Sequence, residues 1–192
     1  MLIAMSDKRQ QLLEASIDLF AKEGFWNTST ARIAKHAGVA TGTLFNYFPS
    51  KDALIDAVYM HLKHEWLQHI QRDYPESADT RTRLEHIWYR NIDWGVRYPE
   101  RYNLKQQLSM SGVLGDEAAN YETDELAFLQ ALIQDGFDQG IFKEMSVDYF
   151  NSMVMAELDA TVRYATTLGL KDMALAKLIA LSSEVLWSGV AR

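Results

Sequence analysis

Residues 28–51, T-S-T-A-R-I-A-K-H-A-G-V-A-T-G-T-L-F-N-Y-F-P-S-K, leave the surrounding chain few choices. Ser29 stands where it can cap a short helix whose apolar Ile33, Ala34 and Ala37 share one side. Gly38 follows where a left-handed C-terminal residue is wanted. Three residues on, 41–48 makes two turns in which Leu44 and Phe48, four apart, face inward. Thr41, Gly42, Thr43, Asn46 and Tyr47 remain outside, all short or hydrogen-bonding, which suits a helix lying in a DNA major groove. Pro49 stops that helix. The spacing predicts a helix-turn-helix, although a helical hairpin in another all-α protein shares the short Gly turn.

The run I-A-x-x-A-G-V-x-x-G-T-L-F-x-Y-F-P-S-K, residues 33–51, is similar to the DNA-binding segment of the tetracycline-repressor (TetR) family, and the resemblance extends over about residues 6–56. It implies an all-α chain of about nine helices. An N-terminal three-helix DNA-binding head (1–50) would precede a C-terminal helical bundle for ligand binding and dimerisation (51–192). It also implies a DNA-facing set of Thr28, Ser29, Arg32, Thr41, Gly42, Thr43, Phe45, Asn46, Tyr47 and Lys51, with Tyr47 and Lys51 where the family contacts phosphate. Two positions depart from the pattern. Ala40 replaces the usual Ser and forfeits a cap worth about 0.5–2 kcal/mol. Phe45 stands where Tyr is frequent, which leaves the phenolic contact to Tyr47.

The net charge of −7 speaks at first against a nucleic-acid partner, but its distribution does not. Residues 1–51 hold six basic and four acidic side chains; the remainder holds thirteen and twenty-two, a balance of −9. A mildly basic head on an acidic body fits a module that meets phosphate with one end. The absence of Cys removes disulfides, thiolate metal sites and cysteine nucleophiles. Residues 1–5 are too short and uncharged for a signal peptide, and no apolar run is read as approaching the roughly 20 residues of a membrane span. The expected location is the cytoplasm, with no membrane partner.

Along the chain, 6–23 reads as a first helix capped by Ser6, with Phe25 and Trp26 as packing at the corner behind it. Ser50 caps a long helix over 51–72 that joins the two halves. Its H-E-W-L-Q-H misses the zinc-protease spacing, because His64 and His69 are five apart. His61, Glu65 and His69, at i, i+4 and i+8, follow one side and allow either a metal or acidic-ligand site or a solvated face.

In the helix over 80–98, Leu84, Ile87, Trp88, Asn91, Trp94, Gly95 and Tyr98 fall on one stripe. Two Trp, a Tyr and an Asn on one face fit the wall of a cavity for a flat or apolar molecule, and they also fit a core. With Trp66, Phe128, Glu157 and Thr161, and with His61, Glu65 and His69, they form the candidate ligand set.

Further helices are predicted over 99–110, 117–139, 147–167 and 171–188. In the last of these, apolar residues cover much of the circumference, so burial on more than one side is expected. A four-helix interface across a twofold axis would provide it, and so would a central position in a monomer. The interface set is Met153, Val154, Leu175, Leu178, Leu181, Ser182, Val185 and Leu186.

No nucleophile elbow, phosphate-cradling Gly-rich loop or metal-ligand spacing occurs, so no enzyme and no cofactor is expected. The functional expectation is a homodimeric repressor, released from a palindromic double-stranded operator by a small-molecule effector. The alternatives are a helical adaptor for protein partners and a metal-responsive regulator using His61, Glu65 and His69.

Overall fold

The computed structural model describes residues 2–119 and 126–192, and among these it has ten α-helices, no strand and one isolated bridge between Phe142 and Ala191. The helices are α1 (Leu2–Glu23), α2 (Thr30–His36), α3 (Thr41–Tyr47), α4 (Lys51–Gln71), α5 (Thr80–Arg97), α6 (Pro99–Met110), α7 (Asp116–Ala119), α8 (Ala127–Asp138), α9 (Val147–Thr167) and α10 (Asp172–Val190). Of the helix expected over 117–139, the described residues hold α7 and α8, and 120–125 lie outside them. α1 starts at Leu2, so Ser6 lies inside it and does not cap it.

The chain forms two compact units. One runs through Glu65 and takes in α6 from Glu100 and α7; the other holds the end of α4 from Trp66 together with α5, α8, α9 and α10. The boundary between the compact units lies within α4, because Leu54, Ile55, Val58 and Leu62 are buried in the same core as Leu12, Leu13 and Phe20 of α1. Leu104, Leu108 and Ala118 complete that core.

Local chemistry sets the ends of the short helices. Ser29 Oγ accepts from Arg32 N at 3.3 Å to cap α2. Gly38 then takes φ +69° while Val39 N donates to Ala34 O at 2.9 Å, the six-to-one bond of a Schellman stop. α3 begins at Ala40 with no side-chain cap, and Leu44 anchors it with no exposed surface. Ser50 Oγ caps α4 through Ala53 N at 3.0 Å.

In the second unit α5 packs against α8, α9 and α10. Asp79 caps it through Thr82 N at 2.8 Å. Gly136 of α8 lies against Phe142, whose ring would stand 2.1 Å from any added Cβ, and the Phe142 and Phe150 rings pack at 4.8 Å. Contrary to the expectation from sequence, α10 is long and apolar enough to cross a membrane by length and composition, with 22% of it buried within the chain.

Candidate nucleic-acid interface and apolar cavity

α3 presents Thr41, Gly42, Phe45 and Asn46 to solvent, with Thr43 and Tyr47 half-buried beside them. The Tyr47 ring rests 6.5 Å from that of Phe48, and Leu44 holds the helix from beneath. Beside the exposed Phe45 ring the outer edge carries hydroxyls, an amide and a Cβ-free position, the chemistry that reads base edges at close approach.

Ser29, Arg32 and Lys35, at the start of α2 and along it, are exposed, and Lys51 at the start of α4 is half-buried. Arg32 Nη2 bonds Glu23 Oε1 at 2.6 Å, and Lys51 Nζ donates to the Trp26 carbonyl at 3.3 Å. An ammonium carries three donors, so one backbone bond fixes Lys51 without using it up.

Thr28 does not belong with the others. It is fully buried and its hydroxyl donates to Gly24 O at 2.9 Å, which ties the corner after α1 and removes it from any outer surface. Trp26 departs from expectation the other way: Phe25 takes the buried position and Trp26 packs against it, tilted, at 4.9 Å, 67% exposed. Sequence reasoning missed this exposed indole because either member of an aromatic pair can fill a corner.

The second unit contains a partly open cavity of about 120 Å³ lined by Trp66, Leu84, Ile87, Trp88, Asn91, Leu129, Leu132, Ile133, Phe150, Val154 and Leu158 together with the exposed Asn151 and Met155. Trp66 Nε1 donates to Asn91 Oδ1 at 2.6 Å, Asn91 Nδ2 to Ile87 O at 2.8 Å, and Trp88 Nε1 to Ser182 Oγ at 2.9 Å. These indole and amide groups are thus engaged with the protein, and apart from the exposed Asn151 what the walls offer an occupant is hydrocarbon and ring surface.

Of the candidate ligand residues, the structure brings Trp66, Trp88 and Asn91 to this cavity. The others go elsewhere. Trp94 is buried against Tyr98, which lies past the end of α5 and is 48% exposed. Phe128 packs on Tyr74 at 4.7 Å, and Thr161 is buried on α9. Glu157 is half-buried, and burial pushes its carboxyl above the ordinary range. His69 pairs with Asp93 at 3.0 Å; burial, with the nearby Arg90 and Arg97, holds its pKa below the ordinary value despite the aspartate. His61 and Glu65 lie in the other unit. The three are not brought together, since His61 meets Glu14 and Glu65 whereas His69 is drawn to Asp93.

The interface set divides in the same way. Val154 lines the cavity, and Ser182 and Leu186 are buried within the chain, Ser182 as the acceptor for Trp88. Met153, Leu175 and Leu178 are half-buried. Leu181 and Val185 are the members that stay open, at 63% and 53% exposure.

Two family patterns together span nearly the whole chain: bacterial regulatory proteins of the tetR family match residues 12–58, and the tetracyclin repressor-like C-terminal domain matches 59–191. The chain is 25% identical over 186 residues to a fatty acid metabolism regulator protein of Bacillus subtilis (strain 168), covering 93% of this chain and 92% of that one. It resembles a TetR family transcription regulator from Marinobacter aquaeolei VT8, with a TM-score of 0.89, 22% identity and coverage of 100% and 99%. The transcriptional regulator FadR from Bacillus subtilis in complex with stearoyl-CoA superposes with a TM-score of 0.76 at 22% identity, over 94% of this chain and 98% of that one.

Proposed function

This chain belongs to the tetR family of bacterial regulatory proteins, and on that premise we propose that it holds an operator through α2 and α3 and releases it when an acyl-type effector lodges its apolar tail in the cavity against α5. It is a DNA-binding transcriptional regulator, and its action as a repressor places it in the cytoplasm with its operator.

One observation carries the choice of effector: the indoles of Trp66 and Trp88 and the Asn91 amide are already hydrogen-bonded, which leaves the exposed Asn151 as the remaining polar side chain of the lining, so a charged or strongly polar group buried among the others would be desolvated without recompense. Its volume is close to that of engineered apolar cavities of about 150 Å³ that stay dry and take up benzene. A longer tail needs the half-buried Leu129, Ile133 and Val154 to give way. The complex of Bacillus subtilis FadR with stearoyl-CoA supports the same class of ligand. Trp66 lies on α4, the helix that begins at Lys51, so an occupant that displaces Trp66 acts on the helix whose first residue faces the DNA.

The regulator works as a homodimer, with the open apolar side of α10 around Leu181 and Val185 set against its copy. A palindromic operator matches that symmetry.

The experiment titrates acyl-CoA esters of increasing chain length into the protein–operator complex while Trp fluorescence is followed. Long-chain esters should quench emission and release DNA. Val154→Trp, which fills the cavity from α9, should bind operator normally and lose the response. If acyl compounds leave both signals unchanged in the native chain, the effector reading fails.

A further inference from the structure

Glu14 on α1 and His61 and Glu65 on α4 meet in the first unit, and Gln10, one turn before Glu14, joins them. The four residues are two i, i+4 pairs on two helices, the arrangement by which helical bundles build metal sites from facing side chains.

His61 Nε2 lies 3.5 Å from Glu14 Oε1, 3.3 Å from Glu65 Oε1 and 3.4 Å from the Gln10 side-chain nitrogen. The ligand atoms of Glu14, His61 and Glu65 all fall within 4.8 Å of one another. The His–carboxylate separations exceed the roughly 2.7–2.9 Å of a charge-assisted hydrogen bond. They match the edge of a tetrahedron instead: ligands about 2.0–2.2 Å from a zinc ion stand about 3.3–3.6 Å apart.

The outer oxygens are engaged separately. Arg101 Nη1 donates to Glu65 Oε2 at 2.7 Å and Nη2 to Glu14 Oε2 at 2.5 Å. One guanidinium thus turns both carboxylates so that each aims its other oxygen at His61, the orienting role that hydrogen-bonded partners play around ligating groups. Gln10 Nε2 donates to Glu14 Oε1 at 2.9 Å, and a half-turn of that amide would put its oxygen in the fourth place.

We propose that Gln10, Glu14, His61 and Glu65 form a site for a divalent transition-metal ion, with zinc as the fitting class, that ties α1 to α4 within the first unit. One imidazole with carboxylate and amide oxygens is a set for zinc, cobalt or nickel rather than for calcium or magnesium, which prefer oxygen alone. With His61 neutral, two carboxylates and one guanidinium leave a charge of −1 for a dication to meet.

The site is tested on the full chain with Co2+ and Zn2+ alone. Co2+ titration should give a visible d–d band of tetrahedral intensity that saturates at one equivalent per chain and is displaced by Zn2+. His61→Ala should abolish the band and weaken Zn2+ binding at least tenfold. Glu65→Gln, closer in shape, should weaken it similarly and covers the case in which His61→Ala does not fold. His69→Ala, in the other unit, should bind as the native chain does. Absence of saturable one-to-one binding in the native protein overturns the proposal. So does binding that survives undiminished in Glu65→Gln, which would mark an ionic network that holds no ion.

Discussion

Lys51 and Asn46 meet the same partner through different chemistry, and their variants separate the two. Lys51 offers one positive charge to any phosphate, so Lys51→Ala should weaken binding to operator and scrambled duplex alike and lower the log–log salt slope by about 1 per subunit. Asn46 is exposed on α3 and carries an amide with donor and acceptor together. Asn46→Ala should leave the slope in place and shrink the operator-to-scrambled ratio, as one base-edge amide contact discriminates by about 1–3 kcal/mol. Salt-titrated isotherms on both duplexes decide it, and the opposite pattern would exchange the two roles. Protonation has a direction as well. Burial lowers the pKa of both His69 and His86 below the ordinary 6.5, so the unfolded chain takes up protons first as pH falls. The stability these groups lend is complete above about pH 6.5 and is lost as pH drops through their folded values. Melting temperature should therefore decline from pH 7 toward pH 5, and His86→Gln should flatten part of that decline; an unchanged slope would assign it to other groups.

Helices are legible in sequence where their ends are chemical. Ser29, Gly38, Pro49 and Ser50 mark boundaries through caps, a positive φ and a missing N–H, and α2, α3 and the start of α4 lie where those residues put them. Which side of a helix meets which neighbour is not written in the same way. The α5 stripe drifts as it climbs: Tyr98, ten residues after Trp88, is about 80° away, which carries it out of the cavity wall. On α8 one residue is worth 100°, so Phe128 turns to Tyr74 while Leu129 takes the wall. α10 shows the same limit, since its composition announces excess apolar surface without saying which residues hold it. Leu186 and Ser182 are spent inside the chain, and Leu181 and Val185 are left over. Leu181→Glu with Val185→Glu should thus leave a folded monomer by sedimentation, whereas a charge at Leu186 would damage the fold itself. A double variant that keeps dimer mass would remove α10 from the interface.

At the scale of the molecule the units are interleaved along the chain. The first unit is not a contiguous N-terminal piece, because Leu104, Leu108 and Ala118 are buried in the core beneath α1 and α4. A fragment of residues 1–65 lacks them and should melt broadly and at lower temperature than the full chain by circular dichroism, even though it contains the whole helix-turn-helix. A sharp, native-like transition in that fragment would show the three residues to be dispensable. The arrangement also sets a timetable for synthesis. The DNA-reading helices are complete by residue 51, yet the surface they rest on is not closed until residue 118 has been added. At about 5–20 residues per second that interval lasts roughly 3–13 s, so a ribosome carries a reader that is finished in sequence before it is finished in shape.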